Sequence, residues 1–263
     1  MGSASRAALE AAKSALASAT GVTRGTGEQL LSAGRDIAGS PQLRALLADP
    51  SVEDAEKTGL IARIFSSLDP TSAALLGSLV GARWSNSDQL IDGIEQVGIR
   101  AIAMSATDDV DIEGELFMFS RAVSSDPELE LAVGSKLGDP AGKASLVDSL
   151  LKGKADPGTL AIVRHLVQTP RGRRIGEMLS LAAETVADAS GGIVANVTAA
   201  APLTAEQLDT LAATLKTQYG RDPRIAVRID PSVIGGLRVQ VGDDVIDGTI
   251  ASRLSELRLQ LAG

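Results

Sequence analysis

Gly138-Asp-Pro-Ala-Gly142-Lys143-Ala144-Ser145 comes nearest to a nucleotide site in this 263-residue chain. A phosphate loop needs backbone N–H groups from spaced glycines, a Lys for the terminal phosphates and a hydroxyl for magnesium. Here the glycine spacing is one residue short, Ala144 stands where the hydroxyl is needed, and no strand leads in. Lys143 also has a counterpart, Lys57, with no glycine-rich approach. The run therefore reads as the start of an amphipathic helix. Gly25-Thr-Gly27-Glu-Gln-Leu30 lacks the third glycine of a dinucleotide fingerprint and reads as a helix-start loop. Asp243, Asp244 and Asp247 could face a hard cation, but their spacing completes no calcium loop and suits a solvated hairpin turn.

His165 is the one histidine. It sits in the apolar run Ala161-Ile-Val-Arg-His-Leu-Val, and the chain has no Gly-x-Ser-x-Gly elbow to supply a nucleophile. It reads as a packed or partly exposed structural residue. Arg171, Arg173 and Arg174 form a basic run without interleaved aromatics, which suits a helix end or an acidic partner better than a nucleic acid. No catalytic, cofactor-binding or metal-ligating residue is expected, and the chain is expected not to be an enzyme.

Composition agrees. There are no cysteines, which excludes disulfide frameworks, thiolate metal sites and thiol nucleophiles. The net charge of −8 opposes non-specific binding to phosphate backbones. Aromatics are only 2% of a chain that is 44% hydrophobic, so packing must run through Ala, Leu and Val. No run approaches the ~18 apolar residues of a membrane span. Arg6, Glu10 and Lys13 interrupt the Ala-rich start before a secretory apolar region forms. A soluble, cytoplasmic protein is expected.

The elements behind these residues divide near Gly191-Gly192. Upstream lies an internal repeat. Leu30, Arg35, Pro41, Leu43, Lys57 and Leu60 recur 86 residues later as Leu116, Arg121, Pro127, Leu129, Lys143 and Leu146. Asp69-Pro70 recurs as Asp156-Pro157 with one residue inserted. Matched prolines carry weight because Pro is only 10 of 263 residues. Ser40-Pro41, Asp126-Pro127 and Asp69-Pro70 pair a capping side chain with a first-turn proline. Residues 53–67 are expected to form a helix with Leu60, Ile61, Ile64 and Phe65 on one side. Ser87-Asp88 is expected to cap a helix carrying Leu90, Ile94, Val97 and Ala101.

Downstream, Ile193, Val194 and Val197 read as a strand. Thr204 and Gln207 form a capping box for a helix carrying Leu208, Leu211 and Leu215 to Gly220. Ile225, Val227 and Ile229 alternate with polar neighbours, as do Leu237, Val239 and Val241, and Val245-Ile246 continues after a turn. A last helix places Ile250, Leu254, Leu257 and Leu261 on one stripe. The expected fold class is α+β, mainly α. It comprises an N-terminal helix and linker (1–27), helical repeats (28–106 and 107–190) and a small α/β domain (191–263).

Pro231-Ser-Val-Ile-Gly-Gly-Leu-Arg-Val-Gln-Val-Gly242, then Val245-Ile-Asp-Gly248 and Arg253-Leu254, resembles the C-terminal signature of the ATP synthase delta subunit family, which includes the oligomycin-sensitivity-conferring protein. The likeness extends through Val197-Thr198, Pro202-Leu203 and Asp49-Pro-Ser-Val-Glu-Asp-Ala-Glu-Lys57. The doubled helical unit is similar to long actinobacterial members. This resemblance implies a non-catalytic stator adaptor, peripheral at the cytoplasmic face of the cell membrane. Its helical part would hold N-terminal segments of the alpha subunits, and its C-terminal part the peripheral-stalk b subunit. The stripe Ile250, Leu254, Leu257 and Leu261 is then the candidate b-binding surface. The competing reading is a free helical-repeat scaffold, which accounts for the repeat but not for the Gly-Gly and Asp-Gly pairs.

Overall fold

Five helix starts in this chain share one local device. Ser40, Asp69, Asp126, Asp139 and Asp156 each precede a proline, and each side chain accepts a hydrogen bond from a backbone N–H in the first helical turn. The cap satisfies an N–H that has no partner within the helix, and the proline supplies a helical φ where no donor is needed. The computed structural model describes residues 2–107, 110–135, 138–191, 193–220, 223–230, 233, 235–241 and 244–248.

Among the described residues there are twelve helices and four strands. The helices up to the junction are α1 (Ser3–Ser18), α2 (Arg24–Gly39), α3 (Pro41–Ala48), α4 (Asp54–Ile64), α5 (Pro70–Gly81), α6 (Ser87–Ser105), α7 (Ile112–Ser125), α8 (Pro127–Gly134), α9 (Pro140–Leu151), α10 (Pro157–Gln168) and α11 (Ile175–Ala189). Then follow β1 (Ile193–Ala199), α12 (Ala205–Tyr219), β2 (Pro223–Ile229), β3 (Leu237–Val241) and β4 (Asp244–Asp247). The architecture is the mainly α fold with a small α/β region expected from the sequence. The chain divides into two compact units, Met1–Val186 and Ala187–Gly263.

In the first unit, α2 to α6 recur in the same order as α7 to α11. The cap chemistry recurs with them. Gln29 Oε1 accepts the backbone N–H of Asp69 at 2.9 Å, and 86 residues on, Glu115 Oε2 accepts that of Asp156 at 2.9 Å. Lys57 and Lys143 are both buried in their helices. The Lys143 ammonium donates to the carbonyl of Ser135, the C-cap of α8. Lys57 acts electrostatically on Asp49, the C-cap of α3. A cation there complements the negative end of the helix.

Helix α6 belongs to both halves. Residues 3–18 of α1, shifted by the same 86, fall on 89–104 inside α6. α1 packs on α5 and α6, and α6 packs in turn on α10. Leu90, Ile91, Ile94, Val97 and Ala101 join a core built with α1 to α5. Ile99 and Ile102 join a second core with α7 to α11, to which α2 adds Leu31. Close approach of α2 and α6 needs glycine: a Cβ on Gly27 would lie 2.5 Å from the Gly98 carbonyl oxygen.

Three local expectations are corrected. Gly25 and Gly27 lie within α2, not in a loop before it. Thr23 is the cap, and Thr26 returns a hydroxyl acceptor to the Thr23 N–H, completing a capping box with Thr in place of the usual Glu or Gln. α6 is capped by Asn86, one residue before Ser87-Asp88. On α4 the buried face is Lys57 and Ile61, while Ile64 is half exposed, because the helix stops there.

In the second unit the strand order is β2-β1-β3-β4. β1 runs parallel to β2, with Val197 opposite Val227, and antiparallel to β3, with Val197 opposite Val239. β3 and β4 form an antiparallel hairpin. α12 bridges the parallel pair and starts at the expected Thr204–Gln207 capping box. Its Leu211, Leu215 and Tyr219 share a small core with Ala195, Val197, Val239 and Val241. Ile229, expected on the inward side of β2, is instead half exposed at the end of that edge strand.

Candidate functional site

Each chemistry-bearing run can now be placed. Asp139 caps α9 through the Gly142 N–H, and Lys143 turns to the end of α8, so the Gly138–Ser145 run is a helix start. The expected turn at Asp243 lies outside the described residues, while Asp244 and Asp247 sit on β4 opposite Val241 and Arg238. The partner stripe Ile250, Leu254, Leu257 and Leu261 also lies outside the described residues.

The basic run and His165 converge, with acids the sequence reading had not singled out. α6 presents Asp92 and Glu95, α2 presents Arg35, α10 presents His165, and the loop between α10 and α11 presents Arg171 and Arg173. Arg173 Nη1 and Nη2 fork onto Glu95 Oε1 and Oε2 at 2.6 and 2.8 Å. Arg171 Nη2 donates to Asp92 Oδ1 at 2.7 Å and to Glu95 Oε2 at 3.3 Å. His165 Nε2 meets Glu95 Oε2 at 3.1 Å, and Arg35 Nη1 meets His165 Nδ1 at 3.1 Å.

These distances determine the tautomer. A guanidinium has donors only, so Nδ1 must accept from Arg35, and the imidazole proton sits on Nε2, donating to Glu95. His165 is 3% exposed and Glu95 5%. Burial opposes ionisation of Glu95, but the hydrogen bonds from His165 and Arg173 outweigh it and hold the carboxyl well below the usual carboxylate range. Burial also holds His165 below its ordinary value; Glu95 opposes this, and Arg35 and Arg171 reinforce it. Arg171 has φ 45°, an uncommon left-handed backbone for a residue with a side chain, followed by Gly172 at 79°. The loop is thus bent so that both arginines face α6. Arg174 stays out of this group, and its N–H meets Glu177 at 3.4 Å.

None of this arrangement offers a reacting position. Every charged group in it is engaged by another, which makes it a brace between helices. The acidic partner of the basic run is within the chain. The spacing that could have shown it is hidden, because the partners are 70 to 130 residues apart and Glu95 lies amid an apolar stripe.

Several apolar side chains face solvent on the helical unit, chief among them Met118 at 66% and Leu131 at 72% exposed. On the second unit Ile229, Val245 and Ile246 are exposed. Among the described residues no helix is long and apolar enough to cross a membrane.

Braced helices in two related sets, followed by a small mixed-sheet unit, define a mainly helical protein with a small α/β unit at its C-terminal end. A model of the ATP synthase delta (OSCP) subunit family matches residues 100–261. The ATP synthase subunit delta of Leifsonia xyli subsp. xyli is 50% identical over 264 residues, covering all of both chains. That of Kineococcus radiotolerans is 40% identical over 98% of this chain and 96% of its own. That of Streptomyces griseus subsp. griseus is 37% identical with all of both chains covered. The chain belongs to the ATP synthase delta (OSCP) subunit family. The family match begins at Arg100, inside α6, and so takes in the second helix set and the sheet unit.

Proposed function

We propose that this chain is the non-catalytic stator adaptor of an F-type ATP synthase, joining the alpha/beta catalytic head to the peripheral-stalk b subunit. Full-length similarity to ATP synthase delta subunits is the observation that carries this reading. The two helix sets, 28–106 and 107–190, act as the head-facing part through N-terminal segments of the alpha subunits. The unit from residue 191 onward takes the b subunit, with Ile250, Leu254, Leu257 and Leu261 as its contact stripe. The protein works peripherally at the cytoplasmic face of the cell membrane through the complex, with no cofactor of its own. A stator part must resist displacement while a shaft turns, and a brace of ion pairs centred on buried Glu95 suits that load.

The test is co-purification of the tagged full chain from its own cells. Recovery of alpha, beta and b subunits is expected; recovery of the chain alone would favour a free helical scaffold. Truncation after Gly248 should then abolish capture of a b-subunit peptide with the far-ultraviolet circular dichroism of the upstream helices retained. Undiminished capture would overturn the b-subunit assignment while leaving the adaptor reading intact.

A further inference from the structure

We propose that His165 is an acid-release catch: neutral, it latches α10 and the following loop to α2 and α6, and protonated, it lets that latch open. Both imidazole nitrogens are occupied, Nδ1 accepting from Arg35 and Nε2 donating to Glu95. An added proton must go to Nδ1, where it faces an Arg35 donor instead of an acceptor. One hydrogen bond between α2 and α10 becomes a donor–donor contact.

Charge acts in the same direction. The groups facing this centre or its immediate partners are Arg35 and Asp36 from α2, Asp92 and Glu95 from α6, Arg164 from α10 with Asp148 from α9, and Arg171 and Arg173 from the loop. Four arginines stand against four carboxylates, so neutral His165 leaves the set balanced. Protonation adds a buried positive charge beside Arg35 and Arg171, and Glu95 is already shared by both loop arginines. The position between the halves matters too: Arg35 and Glu95 lie on α2 and α6, while His165, Arg171 and Arg173 follow the second set's α9. Release would loosen the seam between the halves without requiring either core to unfold.

The sign follows from the imidazole being held low in the folded chain. Its contribution is fully present above the unfolded value of about 6.5 and is lost as pH falls below it. If opening the seam returns His165 to its unfolded value, the opening constant should rise between about pH 7 and about pH 5.5, by about eightfold when the closed seam keeps the imidazole neutral throughout. The carboxylates do not confuse this window, because their unfolded values lie near 4.

Hydrogen exchange on the full chain, corrected for the intrinsic pH dependence of exchange, reads this at the amides of α10 and residues 169–174. Wild type should lose protection about eightfold on acidification. His165→Gln offers an acceptor to Arg35 and a donor to Glu95 without a titrating proton, and its protection should stay flat. The same rise in His165→Gln would overturn the proposal, as would flat exchange in wild type. A second readout does not depend on the variant folding. As the one histidine in the chain, His165 gives one imidazole signal set. Nitrogen-15 spectra should show the Nε2–H tautomer down to well below pH 6.5. An Nδ1–H tautomer, or an ordinary titration, would also overturn it.

Discussion

The two helix sets use the same boundaries and different seals. In the first, Trp84 closes the bundle: its indole N–H donates to the Leu79 carbonyl at 2.7 Å, and its ring covers Gly93, where a Cβ would meet it at 2.1 Å. α1 lies alongside, with Leu9 buried and Ser5 Oγ accepting the Ser85 N–H at 2.8 Å. In the second set α6 takes the place of α1. At the corresponding places Glu95 stands for Leu9, and the loop before α11 brings Arg171 and Arg173. One seal is aromatic and apolar, the other ionic. Boundary chemistry is local and survives duplication because a cap needs only its own first turn. A seal depends on what lies across it: α1 lies across the first, and α2 and α6 lie across the second.

The largest effects should come from breaking either seal. Glu95→Ala leaves buried His165 and half-buried Arg173 without their acceptor and should cost about 3 kcal/mol in urea unfolding. The loss should be felt first in α10 and the adjoining loop. Trp84→Ala should cost a similar 3–5 kcal/mol through cavity and lost contact, with opening confined to α1, α5 and α6 in hydrogen exchange. Equal loss of protection in both sets from either substitution would show that the two seals are one cooperative structure, and the contrast between them would fall.

The caps sharpen the comparison at a smaller scale. Asp69→Ala and Asp156→Ala should each cost about 1 kcal/mol. Gln29 and Glu115 hold the two backbones in the same way, but Asp69 also accepts from the Ser72 hydroxyl, so Asp69→Ala should cost the more, by no more than about 1 kcal/mol. A difference well beyond that would mean that the matched caps are not equivalent. The smallest effect is expected at Arg44 and Asp88, a solvent-facing pair at 3.4 Å within the first set. Arg44→Ala should shift the urea midpoint by less than about 0.5 kcal/mol and lose even that in high salt.

What could be read in advance follows the same division. The 86-residue offset, the Ser-Pro and Asp-Pro starts and the Thr204–Gln207 box were legible because they act within a turn. Thr23–Thr26 is equally local but escaped, since Thr at the third position is not the usual box partner. The charged seam was not legible: Arg35 was visible as a repeat marker and Arg171 and Arg173 as a basic run. Nothing in their spacing joins them to Asp92 and Glu95. α6 hides its role for the same reason. A helix buried on nearly every side reads as one apolar stripe with stray polar residues, and only packing shows that the remaining faces belong to another core. Ile64 and Ile229 illustrate the reverse error, apolar residues in good period at element ends where the chain runs out of neighbours.

A protein doubled by copying a bundle would ordinarily acquire a loop between copies, and a loop bends. Here the last helix of one bundle is the first of the next, 19 residues long and about 28 Å at ~1.5 Å per residue. Carpenters distinguish a hinge from a scarf joint by whether the grain runs through the junction. In α6 the hydrogen-bonded backbone does run through, so a pull on one bundle reaches the other along a continuous rod, and lengthening the arm requires five new helices instead of six.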